Sequence, residues 1–356
     1  MSTAKYSPIA NSRLIGLRPI TSSRHWWRRA ILLVTVFATC TCILLARRKP
    51  LLYNSLPSKD DTSFNSTSLP VVMWHGMGDS CCASWSIGAL QQQIQEALPG
   101  TFVHSIATGA HVGDDTLGGY IGNVNDQVAA ACAHLASIPQ LSKGYNAVGF
   151  SQGGQFLRAI LERCQHEEGM PKMNKLITLG GQHQGIMNVP GCTGPSFNQG
   201  PSFACKVVQR VLGFGAYLPW IRSHVIQAQY FKDPYHYDKF LAHNQFLADI
   251  NNERPHKQQR YKESMLSLKQ LVLVRFSDDN LVVPRDSAWF GYWDGQQLQS
   301  MKETQLYQVR LFASRVGVLA ELKVLHGARG TSAVALLLVQ PIGVAEASFQ
   351  CAACRV

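Results

Sequence analysis

The feature that most constrains the fold is a Gly-x-Ser-x-Gly pentapeptide between an apolar run and an amphipathic segment. Gly149-Phe150-Ser151-Gln152-Gly153 closes the run Ala147–Phe150 and opens a segment with helical spacing, Gln152–Cys164. A strand that turns sharply into a helix lifts the serine oxygen above the sheet edge, and the flanking glycines permit a close backbone approach that a Cβ would block. This context predicts a nucleophile elbow, with Ser151 as the nucleophile.

Short apolar runs alternate with helical segments on both sides of this pentapeptide. Such alternation favours a mostly parallel sheet with helices on both faces. Together with the elbow it predicts the α/β-hydrolase fold, for which a domain of about 250 residues is sufficient. The predicted strands are Val71–Trp74, Thr101–Ile106, Ala147–Phe150, Lys175–Leu179 and Gln270–Phe276, and the predicted helices include Val124–Ala136 and Gln152–Cys164. Residues 185–262 break this rhythm and are predicted to cap the substrate site.

A second glycine-rich turn follows the first predicted strand. In the α/β-hydrolase fold this turn, His75-Gly76-Met77-Gly78, is where half of the oxyanion hole is built. We predict that the backbone N–H groups of Met77 and Gln152 stabilise the developing oxyanion, and one such donor contributes about 2.7–4 kcal/mol to the transition state. An ordinary strand-to-helix turn is the alternative. The imidazole of His75 is expected to support the loop rather than to act as a base.

The acid of a catalytic triad is expected after the nucleophile in the chain. The loop Ser277-Asp278-Asp279-Asn280 follows the predicted strand Gln270–Phe276 and carries two carboxylates, and Asp286 is a third candidate further along. The carboxylate would hold the histidine tautomer and stabilise the imidazolium. On the pattern alone, all three residues remain candidates.

The N-terminus carries basic residues around one apolar run. Residues 1–50 hold nine Lys or Arg and no acidic residue, and the run Ala30–Ala46 lies among them. Six of these basic residues precede the run and three follow it, so the positive-inside rule puts the N-terminus in the cytosol. We predict a cytosolic segment and signal-anchor transmembrane helix over 1–49, then a polar stem over 50–69. A cleaved signal peptide, which would allow secretion, is the alternative.

The formal net charge of +11 belongs to the two ends of the chain. Residues 51–307 hold 19 basic and 20 acidic side chains, so the body is nearly neutral. A neutral body without a basic and aromatic stripe argues against nucleic acid as a partner. The sequence gives no reason to expect a metal or another cofactor.

The cysteine content agrees with a lumenal body. An even number of cysteines in such a compartment suggests disulfides, although spacing does not give their connectivity, and buried free thiols would be expected in the cytosol. The sequon Asn65-Ser66-Thr67 lies in the stem, where a glycan can be attached. The six body cysteines are Cys81, Cys82, Cys132, Cys164, Cys192 and Cys205.

The body also resembles a known family. The segments VVMWHGMGDSCC, GYNAVGFSQGGQFLRAI, GGQHQG, FLADINNER and PRDSAWFGY are similar to those of palmitoyl-protein thioesterases, lumenal enzymes that remove long-chain fatty acyl groups from cysteine. The resemblance covers residues 70–307, which we take as the thioesterase domain. It implies a fatty acyl thioester, carried by an S-acylated protein or peptide, as the substrate.

Carried over residue by residue, the resemblance specifies a site. Ser151 becomes the nucleophile, Asp279 the triad acid, and Met77 and Gln152 the oxyanion donors. The family's disulfides map onto three pairs, Cys81–Cys82, Cys132–Cys164 and Cys192–Cys205.

The resemblance ends before the family's catalytic histidine. That residue lies in a Gly-Asp-His turn after one more strand, whereas residues 308–356 have no such turn, and His326 is the only histidine after Asp279. His326 is therefore the remaining candidate base. Gln308-Val309-Arg310 can be encoded by a typical exon–intron donor sequence, so residues 309–356 are expected to reflect a gene-model artefact. We expect this divergent tail to remove the final strand and most of the activity.

Two other functions remain open. A lumenal esterase or lipase acting on oxygen esters would use the same elbow, and an acyl-binding pseudoenzyme would follow from the missing histidine turn. In each case the body is expected in the lumen of the endomembrane system, such as a lysosome or vacuole.

The predicted topology can be tested in intact microsomes. The body should resist added protease because the membrane shields it, and it should become sensitive when detergent is present. Endoglycosidase should shorten the parent but not an Asn65→Gln variant. Digestion of the body without detergent would contradict the lumenal assignment.

Overall fold

The computed structural model describes residues 68–187, 215–304 and 307, and the backbone of 318–324 and 347–351. Seven strands form one sheet: β1 Val71–Trp74, β2 Val103–Ile106, β3 Tyr145–Phe150, β4 Met173–Leu179, β5 Gln270–Phe276, β8 Val318–Val324 and β9 Ala347–Cys351. Their order is β2-β1-β3-β4-β5-β8-β9, and every neighbouring pair is parallel. A separate antiparallel pair consists of β6 Tyr292–Trp293 and β7 Leu298–Gln299.

Nine α-helices lie in the described part of the chain. Their bounds are α1 Ile87–Ala97, α2 Val112–Gly118, α3 Val124–Ala136, α4 Gln152–Cys164, α5 Pro219–His224, α6 Ile226–Gln229, α7 Tyr237–His243, α8 Leu247–Ile250 and α9 Gln259–Ser267. Short 3₁₀ turns occupy Pro139–Leu141, Arg285–Trp289 and Met301–Glu303.

The predicted α/β-hydrolase fold is confirmed. The predicted helices keep their bounds, whereas β2 begins two residues later than expected and β3 and β4 begin two residues earlier.

The sheet is buried on both faces, which explains why its strands read as continuous apolar runs. In β1, Val72 and Trp74 belong to one core cluster, while Val71 and Met73 belong to the cluster on the opposite face. Helix α4 packs beside β3 and β4, and twelve of its thirteen residues are buried. The elbow between β3 and α4 is therefore held by the most buried part of the fold.

Two of the three implied disulfides are present. Cys81 is bonded to its neighbour Cys82, and Cys132 of α3 is bonded to Cys164 at the end of α4. The third implied pair, Cys192–Cys205, lies outside the described residues.

The expectation that the divergent tail removes the final strand is wrong. Backbone from the tail continues the sheet, because β8 pairs with β5 in parallel and β9 pairs with β8. Strand pairing uses the N–H and C=O groups that every residue carries, so a sequence unlike the family can still supply a strand.

Among the described residues no helix has both the length and the apolar character needed to cross a bilayer. The predicted anchor Ala30–Ala46, residues 50–67 of the stem and the sequon at Asn65 lie outside the described residues, so these assignments remain predictions.

A buried polar network joins α4 to the region predicted as the cap. The guanidinium of Arg158 donates to the Glu162 carboxylate at 3.3 Å, to the Asn251 side chain at 2.7 Å and to the Ile250 carbonyl at 3.3 Å. It also donates to the His183 carbonyl at 3.2 Å. Burial raises the pKa of Glu162 to about 8, although the nearby Arg158 charge opposes this shift.

Candidate active site

Ser151 stands at the turn between β3 and α4 in a backbone conformation that few non-glycine residues adopt. Its φ is 48° and its ψ is −122°. Its N–H donates to the Leu179 carbonyl at 2.9 Å, and its carbonyl accepts from the Gly154 N–H at 3.0 Å. A non-glycine residue held in such a region costs about 1–3 kcal/mol and persists only where its surroundings fix it. This strained turn is the geometry that the pentapeptide predicted.

Two glycines allow the turn to pack tightly. A Cβ on Gly153 would lie 2.3 Å from the Trp74 carbonyl oxygen and 2.5 Å from that of His75. A Cβ on Gly149 would lie 2.5 Å from the Cα of Gly154. All three distances are too short for a side chain, so the spacing of the pentapeptide reflects packing on both sides of Ser151.

The predicted oxyanion loop lies beside the nucleophile. A Cβ on Gly76 would be 3.3 Å from the Cβ of Ser151, which brings the loop after β1 directly against the elbow. Gln152 is the first residue of α4, where unpaired N–H groups and the helix dipole favour negative charge. The predicted donors, Met77 and Gln152, thus come from the two segments that border Ser151.

A buried ion pair supports this loop. His75 Nε2 lies 3.1 Å from Asp115 Oδ1, and both residues are 1% exposed. Burial lowers the pKa of His75, but its hydrogen bond and charge interaction with Asp115 outweigh this effect and hold the pKa above 6.5. Burial likewise raises the pKa of Asp115, while the His75 contact and backbone donors bring it below 3.8. The structural role expected for His75 agrees with this geometry.

Asp115 collects donors from three segments of the chain. Its Oδ1 accepts from the Thr108 N–H at 2.6 Å and from the Thr108 hydroxyl at 2.7 Å, in addition to the His75 contact. Its Oδ2 accepts from the Cys81 N–H at 2.7 Å. One carboxylate therefore fixes the oxyanion loop, the disulfide turn and the loop after β2. Sequence reasoning missed this residue because its partners are distant along the chain.

The three candidate acids have different surroundings. Asp279 Oδ1 accepts from the N–H groups of Leu281 at 2.9 Å and Val282 at 3.0 Å, and burial raises the pKa of this carboxyl above 3.8. Its Oδ2 lies 3.7 Å from a Cβ built on Gly180, the residue after β4. Asp278 is exposed, and Asp286 accepts a hydrogen bond from Arg275. Asp279 is thus half-buried at the sheet edge that carries Ser151, whereas Asp286, which is also half-buried, is paired with Arg275.

His326 lies outside the described residues, but the strand before it does not. Strand β8 ends at Val324, two residues before His326, and its Leu322 pairs with Phe276 at the end of β5. Parallel pairing brings the carboxyl ends of both strands to one sheet edge, so the chain leaves β8 beside the loop that carries Asp279. The geometry of the histidine itself is not described, and its role stays a prediction.

Two residues of the GGQHQG segment have contrasting roles near the site. Gln182 was not predicted as a site residue, yet it is buried and its Nε2 makes a long contact of 3.5 Å with the Ser151 Oγ. Its position just after β4, the strand next to the elbow, is the signal that could have identified it. His183 is fully buried, lies 2.9 Å from the Thr178 hydroxyl and stacks on Phe290. Burial holds its pKa well below 6.5, as expected for a structural histidine.

Comparison with known proteins gives a consistent result. A family model described as palmitoyl protein thioesterase matches residues 70–313, more than half of the chain. Palmitoyl-protein thioesterase 1 of Caenorhabditis elegans is 44% identical over 243 residues, which cover 67% of this chain and 78% of that protein. The human lysosomal thioesterase PPT2 is 28% identical over 269 residues, covering 75% and 81% of the two chains.

Two further comparisons carry less weight. A Schizosaccharomyces pombe palmitoyl-protein thioesterase-dolichyl pyrophosphate phosphatase fusion is 38% identical over 248 residues, but these cover 38% of that protein and 68% of this chain. Among solved structures, the RedJ thioesterase of Streptomyces coelicolor is 12% identical with a TM-score of 0.38, over 77% of this chain and 88% of that one. A score this low carries no weight, so the fold assignment rests on the parallel sheet and the elbow.

The His75–Asp115 pair predicts a pH-dependent stability. Because the pKa of His75 is raised, the contribution of its protonated ring to the free energy of unfolding is fully present below pH 6.5. This contribution is lost as the pH rises through the raised pKa. Because the pKa of Asp115 is lowered, the contribution of its carboxylate to the free energy of unfolding is present above pH 3.8. This contribution is lost as the pH falls through the lowered pKa. Asp115→Asn should therefore lower the free energy of unfolding most between pH 3.8 and pH 6.5, by about 3–5 kcal/mol.

Urea unfolding at several pH values measures this difference in unfolding free energy. Asp114→Asn is the matched control, because Asp114 is the exposed neighbour. A loss that is equal at every pH, or no larger than the control's, would contradict the assignment.

Proposed function

The chain belongs to the palmitoyl protein thioesterase family, and on that premise we propose that it hydrolyses long-chain acyl thioesters of S-acylated cysteine. The observation that carries the proposal is the strained turn at Ser151, which lies between the oxyanion loop and the N-terminus of α4. Both S-acylated proteins and peptides would serve as substrates, since the reacting group is the thioester itself.

In the proposed mechanism the Ser151 hydroxyl attacks the thioester carbonyl carbon. A base removes the hydroxyl proton as the new C–O bond forms, and we assign this base to His326, held in its tautomer by Asp279. The negative charge on the carbonyl oxygen is stabilised by the backbone N–H groups of Met77 and Gln152. Collapse of the tetrahedral intermediate expels the cysteine thiolate, which takes the proton from the base, and leaves an acyl-serine ester.

Water completes the cycle. The base removes a proton from water, the resulting hydroxide attacks the acyl-serine ester, and the fatty acid leaves while Ser151 regains its proton. A thiol has a pKa near 8.5, so the thiolate departs with less acid assistance than an amine requires. This favours a thioester over an amide even where the base is poorly placed. Turnover of oxygen esters is the alternative within the same mechanism.

We propose that the domain acts in the lumen of an endomembrane compartment such as the lysosome. Support comes from the disulfides Cys81–Cys82 and Cys132–Cys164, since disulfides persist in oxidising compartments. Lysosomal thioesterases are also among the relatives. Attachment to the membrane through the predicted anchor Ala30–Ala46 is part of this proposal.

Ser151→Ala tests the nucleophile. Because the hydroxyl forms the acyl-enzyme, the variant should lose its turnover of a palmitoyl thioester, and the same change in a variant with a family-type ending should lower kcat/KM by about 10⁴-fold or more. It should also fail to react with a fluorophosphonate probe, while its unfolding midpoint stays close to the parent's. Ser142→Ala, at an exposed position, is the matched control. Turnover by the Ser151→Ala variant at the parent's rate would refute the assignment.

His326→Ala tests the base. Since residues 308–356 lack the family's Gly-Asp-His turn, we expect the chain to turn over slowly, and a variant with a family-type ending to be faster. Removing a triad base leaves a residual acceleration of about 10³–10⁴-fold over water, so His326→Ala should reduce the parent to that level. His256→Ala in the predicted cap is the control. A parent as fast as the variant with a family-type ending, and insensitive to His326→Ala, would contradict both expectations.

A further inference from the structure

A set of exposed apolar side chains lies next to the oxyanion loop. We call it the apolar rim. Its members come from two segments, the end of α2 with the turn that follows it and the start of α5 with its N-cap residue, and each is between 40% and 63% exposed. Contiguous exposed apolar surface of this kind marks interaction sites in monomeric proteins. The apolar rim consists of Leu117, Tyr120, Ile121, Leu218 and Trp220.

Backbone contacts hold the two segments of the rim together. Ile121 forms an antiparallel bridge with Val225. The Gly122 N–H donates to the His224 carbonyl at 2.8 Å, and the Ile226 N–H donates to the Tyr120 carbonyl at 3.0 Å. The rim is therefore a fixed surface formed by both segments.

The rim adjoins both halves of the predicted oxyanion site. A Cβ on Gly78 would lie 2.7 Å from the Tyr120 hydroxyl, and one on Gly119 would lie 3.1 Å from the Gln152 side-chain nitrogen. The Gln227 side chain donates to the Gly119 carbonyl at 2.9 Å. A surface that contacts the rim would therefore lie beside the oxyanion loop.

The segments that form the rim carry basic side chains, and the nearest exposed carboxylate in sequence is Asp114, one turn before Leu117 in α2. Residues 116–124 and 215–231 contain no Asp or Glu, and the second segment carries Arg222 and His224. The Trp220 ring stacks on His224 with centroids 4.9 Å apart. None of the residues of α5 is buried, although this helix includes Trp220 and Ile221. An aromatic and apolar surface beside a cationic side chain suits the interface of an anionic bilayer.

We propose that the apolar rim docks the active-site mouth on the surface of an anionic phospholipid bilayer. Trp220 and Leu218 enter the boundary between headgroups and acyl chains, and Arg222 contacts lipid phosphate. This inference deepens the proposed function, because it specifies that the acyl thioesters are taken from a membrane surface. The docking itself does not require the chain to be catalytically active.

Hydrogen–deuterium exchange on the full chain tests the docking separately from catalysis. The Ser151→Ala variant is mixed with phosphatidylserine–phosphatidylcholine vesicles, with pure phosphatidylcholine vesicles, or with buffer. Amide exchange should slow in residues 116–124 and 215–225 with the anionic vesicles, and remain unchanged in residues 233–243. Because the readout is local, attachment through any other segment does not affect it. Unchanged exchange in the first two segments would overturn the proposal.

Substitutions in the rim give the second measurement. Leu218→Ser combined with Trp220→Ser should abolish the exchange protection and lower turnover of a vesicle-embedded palmitoyl peptide by about tenfold or more, since burial of large apolar side chains drives the insertion. Turnover of a soluble short-chain thioester should be unchanged. Arg222→Gln should weaken binding to anionic vesicles about fivefold, as expected for one cation at such a surface.

Tyr235→Ser is the matched control, because Tyr235 is a 72% exposed aromatic residue with Asp233 and Asp238 close by in the sequence. It should change neither measurement. If the double variant loses turnover equally on soluble and embedded substrates while exchange protection persists, the residues form an acyl subsite and the docking proposal fails. If the parent hydrolyses no thioester, the proposed function fails, while the exchange measurement still decides the docking.

Discussion

The close contact between helix α4 and strand β1 at Gly153 determines the geometry of the rest of the site. With no Cβ at this position, the helix backbone reaches the carbonyls of Trp74 and His75, and a methyl group there would lie within 2.3 Å of one of them. This contact fixes the helix N-terminus, and with it Ser151 and the Gln152 amide, relative to the loop after β1. The strain at Ser151 is tolerated because the surrounding sheet and helix are the most buried elements of the fold.

The buried carboxylate of Asp115 has a structural role beside the site, because it holds the loop after β1 in place. The hydrogen bonds of Asp115 connect the loops that contain His75, Thr108 and Cys81. A buried carboxylate is costly unless its oxygens are satisfied, so these donors and the carboxylate depend on each other. The geometry of the predicted oxyanion loop therefore depends on a side chain to which the proposed mechanism gives no chemical role.

The elements predicted correctly from the sequence are those that short-range patterns of apolar residues and glycines determine. The elbow, helices α3 and α4 and the central strands follow from apolar runs and glycine spacing, and their bounds agree with the structure to within two residues. The sequence pattern left three carboxylates open and only the family resemblance selected Asp279, because the exposure of Asp278 is visible only in the folded loop. The contact of Gln182 with Ser151 joins residues 31 positions apart. Strand β8 was missed because sheet pairing depends on backbone groups, and its sequence resembles nothing in the family.

The buried guanidinium of Arg158 has a consequence for how substrate enters. It donates to the Ile250 carbonyl and the Asn251 side chain from within the nucleophile helix. If the segment around Ile250 and Asn251 swung outward as a hinged lid, it would leave a buried cation without these two acceptors. Losing the partners of a buried charge costs several kcal/mol. This part of the predicted cap is therefore a fixed wall, and under the proposed function an acyl chain would have to enter without its outward movement.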